Sequence, residues 1–210
     1  KAGSMGKRTT VVNFWTIEEY ENIITSVTDR TAHIMFQIFY YSGFRCGEFV
    51  ALTLEDIDFE NNKISISKSL RRAGGKDIIT SPKTPKSVRT VAMPAFVMNE
   101  LKEYVDSLFG ITDKERIFPF TKSYINGCIT RACKATGIKK IRIHDLRHSH
   151  ASYLIHLDCS PLLISERLGH EKVQTTLNTY SHLYPNKQQE LVDMMEAAHD
   201  NGHKIYTKTA

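Results

Sequence analysis

Disulfide scaffolding is the first thing this sequence lacks. Only four cysteines stand among its 210 residues (Cys46, Cys128, Cys133 and Cys159), and the one close pair, C-x4-C, fits neither a disulfide framework nor a usual zinc spacing. They read as reduced core thiols. Also missing is any apolar run near the roughly 20 residues that cross a bilayer, and the chain does not open on a charged-then-apolar signal pattern. A cytoplasmic protein is therefore expected. The absence of internal repeats and low-complexity stretches excludes a solenoid array. Charge of one sign does not dominate either, since 28 Lys and Arg against 23 Asp and Glu leave a net charge of +5. What remains is the composition of an ordinary globular chain, 41% hydrophobic and 24% charged. Its length suffices for one large domain whose core needs no disulfide or metal staple.

The placement of charge is more informative than its total. Residues 1–62 hold nine acidic and five basic side chains. Residues 63–92 hold eight basic ones (Lys63, Lys68, Arg71, Arg72, Lys76, Lys83, Lys86, Arg89) against Asp77 alone, and residues 122–147 hold seven against Asp145. Two basic blocks on an otherwise balanced chain point to a polyanion partner, because neutralising phosphates releases their counterions. A solvated basic surface is the other reading of charge alone.

Thr16 and Glu19 form a capping box that predicts a helix over 17–27. A second helix follows, with Ile34, Ile38, Phe39 and Tyr41 at helical spacing and Gly43 as its C-terminal cap. After a short helical piece over 46–52 the period changes to two. Ile57 and Phe59, a turn at Asn61-Asn62, then Ile64 and Ile66 predict a hairpin. Arg71 to Lys76, with Gly74-Gly75, reads as a flexible connection, and Val88, Thr90 and Ala92 predict a third antiparallel strand stopped by Pro94. Helices are expected over 95–109, 122–136, 144–157, from Ser160 to Gly169, and over 174–181 and 186–198. This is an α+β pattern, mainly α, with helices around a small three-stranded antiparallel sheet.

Single residues in this pattern are unremarkable in type. Arg45 in Gly43-Phe44-Arg45-Cys46-Gly47-Glu48 has the bland reading of a surface cap, and His144-Asp145-Leu146-Arg147-His148 opens a helix where a lone histidine is usually structural. Leu168-Gly169-His170 ends a helix ten residues before Tyr180. His144 and His148 stand four apart, but no glutamate of a zinc-protease motif lies between them and Arg147 would repel a cation. Gly74-Gly75 is not followed by the Lys-Ser/Thr of a nucleotide-binding loop. No metal or cofactor is expected.

Taken in order, these motifs, a lysine in the hairpin region and Tyr180 resemble the tyrosine recombinases of the phage-integrase type over residues 13–190. Ser165 to His170 and Thr175 to Tyr180 look closest to integrases of phages and integrative conjugative elements. The resemblance implies an enzyme that cuts and rejoins DNA through a covalent 3′-phosphotyrosine at Tyr180. Displacing a sugar oxygen at a phosphodiester requires an in-line nucleophile, neutralised non-bridging oxygens and a proton for the 5′ oxygen. Arg45 and Arg147 would grip the phosphate as planar forks. His144 and His170 would donate to phosphate oxygens or exchange protons, with His144 placed near the nucleophile as its base. Lys83, in Ser81-Pro82-Lys83-Thr84-Pro85-Lys86, matches the family's mobile hairpin lysine and general acid, with Lys86 its rival. Glu48 would orient Arg45. Arg71, Arg72, Lys86 and Arg89 would contact DNA.

The same resemblance sets expectations for organisation and partners. Lys1 to Ser4 reads as an expression remnant and residues 1–12 as remnant plus linker. The catalytic domain is expected over 13–182 and a tail over 183–210, in which Leu191, Met194 and Met195 form an apolar stripe opposite Lys187, Glu190 and Asp193. From the sequence alone the stripe fits packing on its own domain as well as docking on another. Such tails commonly dock on a neighbouring protomer in the family, so the resemblance implies as partners double-stranded DNA at attachment sites and further copies of the chain, as a tetramer during recombination, without a membrane. Family members carry a core-binding domain, and often an arm-binding domain, ahead of the catalytic part. Residues 5–15 leave no room for either, so weak binding to one side of the duplex is expected. Two other functions compete: DNA relaxation of the type IB topoisomerase kind, and a regulator that binds DNA without chemistry.

Overall fold

The capping box forms as written. Thr16 Oγ1 accepts from the Glu19 amide at 3.2 Å and Glu19 returns a bond to the Thr16 amide at 2.8 Å, starting α1 (Ile17–Ser26). In this computed structural model, which describes residues 12–82, 84–185 and 188–206, α1 is followed by α2 (Arg30–Ser42) and α3 (Cys46–Phe49). Asp29 caps α2 through the Ala32 amide, and Gly43 ends it in the left-handed conformation. Next come β1 (Ile57–Asp58), β2 (Lys63–Ile66), β3 (Ser69–Ala73), β4 (Lys76–Thr80) and β5 (Arg89–Ala92). The rest is helical: α4 (Ala95–Asp106), α5 (Lys122–Thr136), α6 (Asp145–His156), α7 (Pro161–Leu168), α8 (Val173–Tyr180) and α9 (Gln188–Tyr206). The mainly helical α+β expectation holds.

The three-stranded antiparallel sheet is β1-β2-β5. Its register sets Ile64 opposite both Ile57 and Val91, and burial of Ile64, Ile66 and Val91 fixes which face meets the core. The third strand is present but its phase is the reverse of the pattern read from Val88, Thr90 and Ala92. Val91 points inward, while Thr90 pairs with Ser65 on the outer face, their hydroxyls 3.3 Å apart. The segment read as a flexible connection is ordered. Gly74 and Gly75, both at positive φ (58° and 77°), make the two-residue turn that joins β3 to β4 in a separate two-stranded sheet. Helix α4 also stops at Asp106, three residues short of the expected end.

The main core gathers Trp15, Phe36, Phe39, Phe49, Phe118 and the inward sheet residues. Trp15 ties the start of the described chain to the far half, its amide donating to Ser149 Oγ at 2.9 Å and its indole to the Lys139 carbonyl at 3.0 Å. A smaller cluster of Ala151, Leu154, Ile155, Ile164, Leu168 and Tyr180 packs α6, α7 and α8 together. Because α2 also packs on α6, the ends of α2, α6, α7 and α8 converge. No helix among the described residues is long and apolar enough to cross a membrane. On α9 the stripe of Leu191, Met194 and Met195 stays exposed at 46%, 68% and 60%. Lys187, expected on its opposite face, lies outside the described residues.

Candidate active site

Two helix ends build the site. Gly43 follows α2 and Leu168 closes α7, and the last carbonyls of a helix lack internal partners and carry its negative end. Arg147, from the first turns of α6, donates Nη1 to the Gly43 carbonyl at 2.8 Å and Nη2 to the Leu168 carbonyl. Its side chain is almost fully enclosed, and among the described residues no carboxylate pairs with it. Burial, reinforced by Arg45 and Arg89, pushes its guanidinium down to about 9. A buried cation whose guanidinium bonds carbonyls at two helix ends, with Glu48 acting only at a distance, has charge left over for an anion.

Arg45 precedes α3 and donates to Glu48 at 2.7 Å and to the Gly169 carbonyl at 3.4 Å, with 39% of its side chain exposed. Glu48 is buried and also takes two bonds from Arg89, at 3.0 and 3.2 Å. Burial pushes the Glu48 carboxyl up, but the hydrogen bonds and charges of Arg89 and Arg45 outweigh it and hold it below the usual carboxylate range. Three arginines around one carboxylate leave the site cationic. Turn Leu168-Gly169-His170 thus supplies a carbonyl to each of Arg147 and Arg45 and then His170 itself. His170 Nδ1 meets Thr176 Oγ1 at 2.8 Å, leaving Nε2 for a ligand, and burial followed by Arg147, Arg45 and Arg89 pushes the ring down to about 3.

Tyr180 ends α8 with 1% exposure. Its hydroxyl meets His148 Nδ1 at 2.7 Å, and burial pushes the phenol up to about 12 against the pull of Arg147. His144, the exposed residue before α6, contacts the ring of His148, centroids 5.0 Å apart, so the imidazole bonded to the tyrosine is not the one the motif suggested. A second cryptic residue is His150, fully enclosed, which bonds the Tyr40 carbonyl at 2.6 Å through Nδ1 and receives Arg167 Nε at Nε2. Its ring fills the space beside Gly43, where a Cβ would come within 2.5 Å of it. The only sequence signal for either was a histidine-rich run, His144 to His150, whose facing depends on packing.

The remaining expected residues separate. A cleft of about 360 Å³ beside Arg45 and Glu48 is lined by Arg71, Thr80, Ser81 and Ser87, so Arg71 joins the site. Arg72 is exposed and turns back to the Gly75 carbonyl at 3.2 Å. Lys86 is exposed beside a cavity that also holds His170 and Gly169. Arg89, expected on a DNA-facing surface, is instead 7% exposed, because it bonds Glu48 and the Arg167 carbonyl. Lys83 lies outside the described residues. Among those described, no His, Cys, Asp and Glu grouping suits a metal ion.

The phage integrase family model matches residues 13–187, which covers the whole of this constellation. The chain belongs to the phage integrase family. It is 35% identical to the ICEBs1 integrase of Bacillus subtilis over 202 residues, covering 88% of this chain and 54% of that one. With the integrase of Staphylococcus phage L54a it shares 31% identity over 176 residues, covering 74% and 49%. The chain therefore spans about half the length of these integrases. A solved structure of the Tn1549 transposon integrase in complex with circular intermediate DNA shares the fold, with a TM-score of 0.74 at 23% identity, covering 91% of this chain and 68% of that one.

Proposed function

We propose that this chain is the catalytic unit, over residues 13–182, of a site-specific DNA recombinase that integrates or excises a mobile element through a 3′-phosphotyrosine at Tyr180. One observation carries the reading: a buried Arg147 with no carboxylate partner among the described residues, held by two helix ends beside Arg45 and His170, next to a tyrosine hydroxyl already hydrogen-bonded to an imidazole. Arg45 and Arg147 clamp the non-bridging oxygens, and His170 Nε2 donates to one of them. Tyr180 attacks phosphorus, which keeps the bond energy as an ester so that resealing needs no further energy source. Lys83, or Lys86 in its place, protonates the departing 5′ oxygen. Glu48 and Arg89 fix Arg45, while Arg71, Arg72 and Lys86 add affinity for the duplex. The relatives are the ICEBs1 integrase and the integrase of a phage, which supports the same use here. Copies of the chain assemble on DNA as a tetramer, each lending its exposed stripe of Leu191, Met194 and Met195 to a neighbour.

The test is a duplex from the junctions flanking the gene, nicked beside the cleavage position so that the released fragment diffuses away. The parent chain forms an SDS-resistant protein-DNA adduct and Tyr180→Phe forms none while binding normally. An adduct from Tyr180→Phe removes Tyr180 as nucleophile, and relaxation of plasmids lacking any such junction turns the reading to a topoisomerase.

A further inference from the structure

His148 follows Arg147 on α6, one turn beyond His144, and none of the roles above uses it. Yet it is the partner the structure gives to the hydroxyl of Tyr180, with Nδ1 2.7 Å from Oη and the rings 5.6 Å apart at 66°. That distance lies within the hydrogen-bond reach required of a general base. His144, by contrast, touches His148 rather than the tyrosine. The small core of α6, α7 and α8 holds the pair together, because Tyr180 is a buried member of it and His148 projects from α6, which supplies Ala151, Leu154 and Ile155.

Resting on the reading of Tyr180 as nucleophile, we propose that His148 is a catalytic residue, the base that accepts the tyrosine proton during cleavage and returns it during ligation. In cleavage the Oη–H proton of Tyr180 passes to His148 Nδ1, Oη bonds to phosphorus, the bond from phosphorus to the 5′ oxygen breaks, and that oxygen takes its proton from the ammonium of Lys83 or Lys86. Ligation reverses each transfer, so His148 leaves as it began. Burial first, then His144, Arg147 and Arg142, push His148 down to about 4 against the pull of Asp145, so its ring is neutral at pH 7 and, with its proton on Nε2, accepts from the protonated phenol of Tyr180 at Nδ1. Without DNA that makes it a weak base. A phosphodiester arriving at Arg45 and Arg147 brings negative charge that offsets those cations and makes the imidazolium easier to form as the proton moves. His144, at the exposed start of the helix, is then free to serve the phosphate oxygens.

His148→Asn keeps an acceptor near the place of Nδ1 but cannot take a proton. On the nicked junction duplex its single-turnover cleavage at pH 7 should fall by about 10²-fold or more, the range of general base catalysis, with DNA affinity within a factor of about three. Replacing Tyr180 by a difluorotyrosine of lower pKa should shrink that defect, and imidazole in the buffer should restore part of the activity of His148→Ala, which guards against a variant that merely misfolds. Near-parental cleavage by His148→Asn alongside a large loss in His144→Asn overturns the proposal. So does a His148→Asn defect that the fluorinated tyrosine leaves unchanged, since His148 would then only seat the ring. An adduct formed by Tyr180→Phe refutes the nucleophile instead, whatever His148 does.

Discussion

Replacing Glu48 by Gln tests the electrostatic frame of the site at its most loaded point. The carboxylate is 4% exposed and receives four N–H groups, from the amide and Nη1 of Arg45 and from Nη1 and Nη2 of Arg89. Glutamine keeps one acceptor but turns an NH2 toward these donors and leaves Arg89, itself 7% exposed, without its counter-charge. Breaking a buried pair from one side costs about 3–5 kcal/mol, and the retained oxygen puts this change near 3 kcal/mol. For a chain of this size that is a fall in Tm of roughly 6–12 °C, measurable by thermal and urea unfolding at pH 7. The double variant Glu48→Leu/Arg89→Met should be more stable than Glu48→Leu alone, because no buried cation is then left unpaired. With its orienting carboxylate gone, Arg45 should also lose its aim, slowing cleavage about 10²-fold. A Tm within about 2 °C of the parent would refute the buried frame. A large Tm loss with parental cleavage would show that Glu48 holds the fold and does not position Arg45.

Three further outcomes follow from the same geometry. Gly43→Ala forces a Cβ into a left-handed residue (φ 67°) and to 2.5 Å from His150, so it should cost about 2–4 kcal/mol and slow cleavage, since the Gly43 carbonyl holds Arg147; stability equal to the parent contradicts this. His150 is pushed down to about 3 by burial and then by Arg167, well below the 6.5 it regains on unfolding. The unfolded chain therefore binds a proton that the folded chain refuses, so stability present above pH 6.5 is lost on acidification, by about 2 kcal/mol from His150 alone between pH 7 and 5, with His148 and His170, pushed down in the same direction, adding to it; a flat urea midpoint over that window contradicts it. Leu191→Asp, on an exposed stripe, should leave the melting of the monomer unchanged while reducing recombination and multimers on DNA; collapse of the monomer's Tm would mean that the stripe packs on its own chain.

Most of the helices, the β1-β2 hairpin and the order of the motif residues were legible without coordinates, because their determinants are local, whereas the β3-β4 hairpin was read as a flexible connection because its strands, mostly exposed and rich in charge, carry no alternating apolar pattern. Thr16 with Glu19, Gly43 after an apolar helix, Ser160 with Pro161, and the i to i+3 reach from Arg45 to Glu48 are all settled by spacing within a turn or two. Tyr180, His170 and Arg147 were singled out by the order and spacing of their motifs, which resemble the tyrosine recombinases, since each residue alone is unremarkable in type. What depended on tertiary packing was which of several similar side chains occupies the site. Arg89 looked like one more cation in a basic block until β5, pairing beside β2, carried it inward to a carboxylate 41 residues away. His144 and His148 differ by a single helical turn, and only the packing of α8 on α6 brings Tyr180 to the second. The carbonyls that hold Arg147 belong to every peptide alike and carry no sequence signature. They become ligands because two helices end at the same point in space, a meeting set by burial of side chains far apart in the chain.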